Sequence, residues 1–228
     1  MNAREHAQSA GRIAAVTGIW LSCVGWVVWY YRRLYAAGAL LGASQAGGSP
    51  GAFAGQAILS CLPEIGWLVL CVVLFRAKVW ERLYRGLGKG RSGQLTAGLG
   101  ALYMLCLVVQ CVRSSDRVGV VARWLYYLLA VAFFEEFLFR ALFPSLMEGA
   151  APEWFVRVFP NVLFALSHSV VPLAAGRPLG DVALGAFAGL AGYLLAGMGW
   201  DWLRRRTGSL WPGVLIHALL DFGLLWGP

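Results

Sequence analysis

Seven long apolar runs follow one another along the chain, and they constrain its fold more than any other feature. They cover Ile13 to Tyr31, Ala52 to Phe75, Leu95 to Val112, Val118 to Met147, Trp154 to Leu173, Val182 to Trp200 and Leu210 to Trp226. A helix needs roughly 20 apolar residues to cross a hydrocarbon core about 30 Å thick. Because a water-soluble fold cannot bury so many runs of this length, we expect an integral membrane protein.

The composition supports the same class. Of the 228 residues, 59% are hydrophobic and only 13% are charged, whereas about a quarter are charged in a typical soluble domain. Backbone polar groups in lipid must be hydrogen-bonded within the protein, which leaves helices and closed barrels, and these runs are too long and unbroken for barrel strands. The sequence therefore predicts an all-α transmembrane bundle of about seven spans, forming one domain over residues 1–228.

The basic residues indicate the orientation of the bundle. A net charge of +8 would be compatible with nucleic-acid binding, but the basic residues form short clusters between the apolar runs. The larger cluster lies between Arg76 and Arg91 and is opposed only by Glu81, and the second is Arg204-Arg205-Arg206. Because such clusters stay on the cytoplasmic side, we expect a cytoplasmic N-terminus, a C-terminus on the far side and no nucleic-acid partner.

Several polar or small residues within the runs have competing interpretations. The first run is followed by Arg32-Arg33, which favours a retained span over a signal peptide cleaved near residues 36–43. Glu64 follows Pro63 in the second run, and it either lines a cavity or lies near the interface. Three glycines in the sixth run predict a face for a close helix neighbour, and five cysteines without CxxC spacing predict buried small hydrophobes. These residues are Gly185, Gly189, Gly192, Cys23, Cys61, Cys71, Cys106 and Cys111.

The fourth run contains FFEEFLFR, which places three ionisable groups among aromatic side chains. A charge near the bilayer centre costs roughly 2.5 to 3.5 kcal/mol, so such groups are candidates for function. In a regular helix, Glu136 and Arg140 share one face, and Glu135 is turned about 100 degrees away. We therefore expect Glu136 to pair with Arg140 and Glu135 to be free to face a cavity. The alternative is that all three residues only tie neighbouring helices together.

Two later runs carry polar residues that would otherwise be stranded in lipid. His168 lies in the fifth run, and His217 and Asp221 lie one helical turn apart in the seventh. Convergence on Glu135, inside the membrane, would satisfy all of them.

This set of side chains contains the groups needed to hydrolyse an amide without a covalent intermediate. The scheme needs a carboxylate that accepts a proton from water, a histidine that aims that water, and donors for the oxyanion. Nucleophilic schemes fit less well, since no GxSxG surrounds Ser167 and no cysteine adjoins a histidine. The HExxH pattern of zinc hydrolases is absent. Zinc ligation by Glu135, His168 and His217 remains an alternative without the expected spacing, and we expect no metal or other cofactor.

Three motifs resemble those of a known family, and they occur in the family's order. Glu135-Glu136-x-x-x-Arg140, Phe164-x-x-x-His168 and His217-x-x-x-Asp221 resemble the motifs of the CPBP intramembrane glutamic endopeptidases, which include the CAAX prenyl proteases and the bacterial Abi proteins. The resemblance covers Phe133 to Phe222 within a core of about residues 118–226, and the first three spans match nothing specific.

The resemblance implies a metal-free membrane protease and a role for each motif residue. Glu135 would activate water, His168 would position it, and His217 with Asp221 would form the oxyanion side. Glu136 and Arg140 would support them. The prenyl proteases have Asn where this chain has Asp221, and an ionised carboxylate would repel an oxyanion. Asp221 is therefore either protonated or holds a proton on His217, and we favour the second interpretation.

The remaining expectations concern source, substrate and rival functions. A composition rich in Ala, Gly, Leu, Arg and Trp suggests a bacterial protein of the inner membrane, which acts on a membrane-associated peptide or protein. By analogy, C-terminal anchors in protein sorting are candidate substrates. A non-catalytic scaffold or bacteriocin self-immunity protein would be expected to lose Glu135 or a histidine. A small transporter or proton relay would be expected to show repeated halves, which are absent from the sequence.

Overall fold

The computed structural model describes residues 3–37, 50–74 and 90–222, and the described residues form helices joined by short turns. No strand occurs in these three ranges, so the all-α prediction is confirmed. The helices are α1 (Ala3–Ala36), α2 (Pro50–Leu74), α3 (Gly90–Arg113), α4 (Arg117–Met147), α5 (Glu153–Ser167), α6 (Val170–Ala174), α7 (Leu179–Thr207) and α8 (Trp211–Phe222).

The described part of each predicted apolar run falls on these helices. Helices α1, α3, α4 and α7, and the pair α5 and α6 taken together, are long and apolar enough to cross a membrane, while α2 and α8 contribute shorter apolar segments over the described residues. The protein is therefore an integral membrane protein. Most of the basic cluster between Arg76 and Arg91, and most of the possible cleavage region at residues 36–43, lie outside the described residues.

Helix α4 departs from regular α-helical geometry on both sides of its acidic pair. Tyr126–Ala132 and Phe137–Leu142 are π-helical, and the short stretch Phe133–Glu136 between them is α-helical. At the end of each π-helical stretch an N–H bonds five residues back, from Phe133 to the Leu128 carbonyl and from Phe143 to the Leu138 carbonyl. Such π-helical insertions are frequent at functional sites. The motif of interest thus lies on a helix with locally altered side-chain directions.

The other helices surround α4. Helix α7 packs along α5, α8 lies against α3 and the first π-helical stretch of α4, and α1 packs against α2, α6 and the end of α4. Side-chain bonds add to this packing, since Trp20 Nε1 donates to Ser167 Oγ at 2.9 Å and Arg12 Nη1 donates to the Glu148 carbonyl at 3.1 Å. The result is a core around α4 with apolar outer faces, as expected where lipid is the solvent.

The glycine prediction for the sixth run is wrong for the described helices. A Cβ at Gly185 or Gly192 would meet nothing within 4 Å, and a Cβ at Gly189 would meet only Tyr193 of the same helix. The regular spacing clears one face, but that part of α7 does not press against a neighbouring helix. The cysteine prediction agrees better with the structure, because all five cysteines are free and Cys23, Cys61 and Cys71 are buried.

Candidate active site

His217 on α8 is surrounded by three carboxylates. Its Nδ1 lies 3.0 Å from Oε1 of Glu136. Its Nε2 lies 3.5 Å from Oε2 of Glu135 and 3.3 Å from Oδ2 of Asp221. The imidazole stacks on Trp200, with ring centroids 4.2 Å apart. Packing on one face and carboxylates at both nitrogens therefore define the orientation of this ring.

Glu136 joins His217 to Arg140. Its Oε1 lies 3.4 Å from Arg140 Nη1, and both side chains are only 1% exposed. The predicted pairing of these two residues is present, although it lies where α4 becomes π-helical. The Arg140 guanidinium also lies over the Phe164 ring, 4.1 Å from its centroid, which is a favourable cation–π position. Sequence spacing predicted the arginine partner of Glu136, but not the histidine partner.

Two glycines make room for this acidic and basic pair. A Cβ at Gly213 of α8 would lie 3.3 Å from Glu136 Oε2, so a glycine there lets the carboxylate approach the helix backbone. A Cβ at Gly197 of α7 would lie 2.7 Å from Arg140 Nη2 and would also meet Oδ1 of Asn161. Both glycines were missed at the sequence level, because only the folded arrangement shows which glycine faces a crowded neighbour.

Asn161 on α5 was also missed as a candidate. Its Nδ2 donates to the Arg157 carbonyl at 2.8 Å, which fixes the amide and leaves Oδ1 as an acceptor. Asn161 Oδ1 and the guanidinium nitrogens of Arg140 are buried and have no hydrogen-bond partner among the described residues. Because a Cβ at Gly197 would contact both Asn161 Oδ1 and Arg140 Nη2, these two side chains are close neighbours. A buried asparagine in an apolar run was the available sequence signal.

His168 lies at the end of α5 with a defined proton position. Its Nδ1 is 3.0 Å from the Phe164 carbonyl oxygen. A carbonyl only accepts, so Nδ1 carries a proton, and the other nitrogen of the neutral ring is left as an acceptor. The ring stacks on Tyr193 of α7 with centroids 3.6 Å apart and meets the edge of Phe164. The hydrogen bond and the two ring contacts therefore fix the orientation of the imidazole, with Nε2 turned away from the Phe164 carbonyl.

A cavity lies beside His168, between α5, α6 and α7. Its volume is about 370 Å³, and its mostly small or apolar lining includes Ala165, Pro172, Val182, Gly185 and Ala186, together with His168 and Tyr193. Arg177 and Asp181 lie at the start of α7 on the same cavity. An apolar cavity with a few polar groups is typical of ligand sites.

Glu135 is the least tightly held of the acidic residues on α4. Its Oε2 is buried without a hydrogen-bond partner among the described residues. The carboxylate interacts electrostatically with His217 and His168, although no hydrogen bond joins it to His168. The structure thus groups Glu135, Glu136, His217 and Asp221 by direct contact and places His168 within electrostatic range.

The structure also bears on Glu64 and on the zinc alternative. Tyr31 of α1 donates a hydrogen bond to Glu64 Oε1, and Glu64 Oε2 is buried. Glu64 therefore points into the bundle, toward α1. Over residues 3–37, 50–74 and 90–222, no three His, Cys, Asp or Glu side chains are grouped so as to hold a metal ion.

Comparisons with known proteins bear on the C-terminal half of the chain. Residues 117–223 match the family described as Type II CAAX prenyl endopeptidase Rce1-like. Neither a curated protein nor a solved structure gives a significant match. The matched region contains α4 to α8, and hence every residue that contacts His217 or His168 in the site described above. Residues 117–223 are therefore similar to the CAAX protease family, in agreement with the resemblance seen in the three motifs.

Proposed function

We propose that this protein is a glutamic-type intramembrane endopeptidase that hydrolyses a peptide bond in a membrane-associated peptide or protein. One observation carries the proposal: Glu135 Oε2 is buried without a hydrogen-bond partner among the described residues, 3.5 Å from His217 Nε2. A carboxylate in this setting is available to accept a proton from water.

The reaction begins at Glu135. Its carboxylate takes a proton from a water molecule, and the water oxygen attacks the peptide carbonyl carbon. The His168 Nε2 lone pair accepts a hydrogen bond from the remaining O–H, which aims the water, since Nδ1 is committed to the Phe164 carbonyl. The tetrahedral intermediate then collapses, the C–N bond breaks, and the proton on Glu135 goes to the leaving amine.

His217 is the donor to the oxyanion. In this scheme His217 is an imidazolium with a proton on each nitrogen, which carboxylates at both nitrogens favour. Nδ1–H donates to Glu136, and Nε2–H points toward the side where the negative charge develops. Asp221 lies 3.3 Å from the same Nε2 and holds the proton there in the resting enzyme. The oxyanion replaces Asp221 as the acceptor during the reaction. Arg140 balances the charge of Glu136, 3.4 Å away, so that Glu136 keeps its place against His217.

The protein acts in a bacterial cytoplasmic membrane with its N-terminus inside, and its substrates are peptides or the C-terminal anchors of sorted proteins. The composition supports the source, and the second basic cluster supports the orientation. Asp201 offsets part of that cluster, because it pairs with Arg204 at 3.2 Å and with Arg205 at 2.8 Å. Arg206 remains beside Trp202, an aromatic of the kind common at membrane interfaces.

The proposal is tested by comparing membrane proteomes of a deletion strain that carries wild type, Glu135→Gln or Glu153→Gln. Glu153 is a suitable control because its side chain is 77% exposed and lies outside the site. We expect uncut substrates to accumulate only with Glu135→Gln, at expression levels equal to wild type. If Glu135→Gln processes the same proteins as wild type, the hydrolase proposal is wrong and a scaffold function is favoured.

A further inference from the structure

Tyr193 contacts His168 from a different helix. The two rings stack with centroids 3.6 Å apart and planes 26° apart. Phe164 is nearly perpendicular to both rings, with its centroid 4.8 Å from that of His168 and 6.2 Å from that of Tyr193. Phe164 and His168 belong to the same turn of chain at the end of α5. Through this stack, a side chain of α7 restrains the orientation of the His168 imidazole.

Gly189 sets the position of the Tyr193 ring. A Cβ at Gly189 would lie 2.8 Å from Cε2 of Tyr193, which is closer than such atoms approach in real structures. The tyrosine ring thus lies back over the preceding turn of α7, in the space that a side chain at Gly189 would occupy. In this position it reaches His168. This explains why a glycine is needed at 189, although no neighbouring helix packs there.

We propose that Tyr193, seated over Gly189, is a positioning residue that fixes the ring of His168. The inference rests on the proposed function, in which the His168 Nε2 lone pair aims the attacking water. The hydrogen bond from Nδ1 to the Phe164 carbonyl sets which nitrogen faces the site. The stack with Tyr193 prevents the His168 ring from rotating about that hydrogen bond. Both constraints are needed to hold a lone pair in one direction.

Tyr193 stacks on His168 through the face of its ring. The Tyr193 hydroxyl has no hydrogen-bond partner among the described residues. We therefore expect Tyr193→Phe to keep the ring in place and Tyr193→Leu to release it. Gly189→Ala should displace the tyrosine ring without altering its chemistry. Gly192→Ala is the matched control on the same helix, because a Cβ there meets nothing within 4 Å.

The first measurement needs no substrate. The chain contains only three histidines, so the full-length protein with ¹³C-labelled histidine can be followed by NMR in detergent micelles. The His168 signals are identified by their loss in His168→Gln. A proton over an aromatic face is shielded, so we expect the His168 ring protons to be shifted upfield in wild type, Tyr193→Phe and Gly192→Ala. The shift should vanish in Tyr193→Leu and shrink in Gly189→Ala.

The second measurement uses a quenched fluorescent peptide spanning a cut site found in the proteome comparison. Tyr193→Leu should lower kcat by about 10- to 100-fold with KM nearly unchanged, as expected when an aiming group is misplaced. Tyr193→Phe should stay within about threefold of wild type, because the aiming geometry is kept. An unchanged His168 shift in Tyr193→Leu overturns the proposal. A lost shift with unchanged kcat overturns the catalytic importance of the stack, whereas activity in Glu135→Gln would overturn the hydrolase function itself.

Discussion

Oε1 of Glu136 lies 3.0 Å from Nδ1 of His217, although the two residues are 81 positions apart in the chain. The same oxygen lies 3.4 Å from Arg140 Nη1. Glu136 is thus shared between a cation on its own helix and the imidazole on α8. An orienting acceptor on one nitrogen of a histidine determines what the other nitrogen does. Through this contact, Glu136 directs His217 Nε2 toward Glu135.

Replacing Glu136 by Gln should therefore impair both stability and activity. The substitution removes the charge opposite a buried guanidinium, and breaking such a buried pair costs about 3–5 kcal/mol. We expect a lower thermal midpoint in detergent and a kcat reduced by about 10-fold, because the neutral amide oxygen of Gln still accepts from His217 Nδ1–H but more weakly than a carboxylate does. Glu153→Gln is again the control, since it removes an exposed i,i+4 pair with Arg157. Equal effects of the two substitutions would show that the Glu136 contact is unimportant.

Two substitutions at Asp221 separate its possible roles. If Asp221 holds a proton on His217, Asp221→Asn should keep substantial activity, because the amide oxygen can still accept from Nε2–H. Asp221→Ala should lose most activity. Peptide cleavage by the two purified variants provides the measurement. Equal and nearly complete loss in both variants would mean that the carboxylate itself is required.

Gly197 should tolerate no side chain. An alanine there would press on Arg140 Nη2 and Asn161, and overpacking of a buried site costs about 1–3 kcal/mol. We expect Gly197→Ala to lower the thermal midpoint and to weaken cleavage by disturbing the support of Glu136. Gly199→Ala is the matched control two residues away, where a Cβ meets nothing within 4 Å. A Gly197→Ala protein as stable as the Gly199→Ala protein would contradict the crowding inferred at this position.

The orientation is tested with alkaline phosphatase fusions, since this enzyme is active only where disulfides form. A fusion after Gly208, which follows the second basic cluster, should be inactive if the proposed orientation is correct, because the positive-inside rule predicts a cytoplasmic loop there. A fusion after Pro228 should be active, because the sequence predicts that the last apolar run crosses the membrane. The reverse pattern of activities would place the N-terminus outside.

The contacts between site residues on the same helix could be predicted from the sequence. Glu136 and Arg140, and His217 and Asp221, are each four positions apart, so helical periodicity alone places each pair on one face. The three motifs also indicate a resemblance to a known family, and the match over residues 117–223 confirms that resemblance. The π-helical stretches do not follow from the sequence, because no proline or glycine within Tyr126–Leu142 marks them.

Contacts between helices were predicted only in part. The approach of His217 to Glu135 was expected, and their side chains lie 3.5 Å apart. The glycine spacing in α7 favoured a helix neighbour, but Gly189 instead accommodates Tyr193. Among the described residues, Gly197 and Gly213 are the glycines that side chains of another helix crowd. The Tyr193–His168 stack and the Glu136–His217 contact had no sequence signal of their own, because each joins side chains on separate helices.

By itself, the sequence determined the membrane location, the helical class and the pairs within one helix, because apolar run length and helical period are local properties. The tertiary structure decided which faces meet. Lipid solvates an apolar face about as well as a neighbouring helix does, so hydrophobicity does not select the partner in a membrane. Selection rests on shape and on a few polar contacts. That is why the shared oxygen of Glu136 and the ring of Tyr193 became visible only when α4, α5, α7 and α8 were placed together.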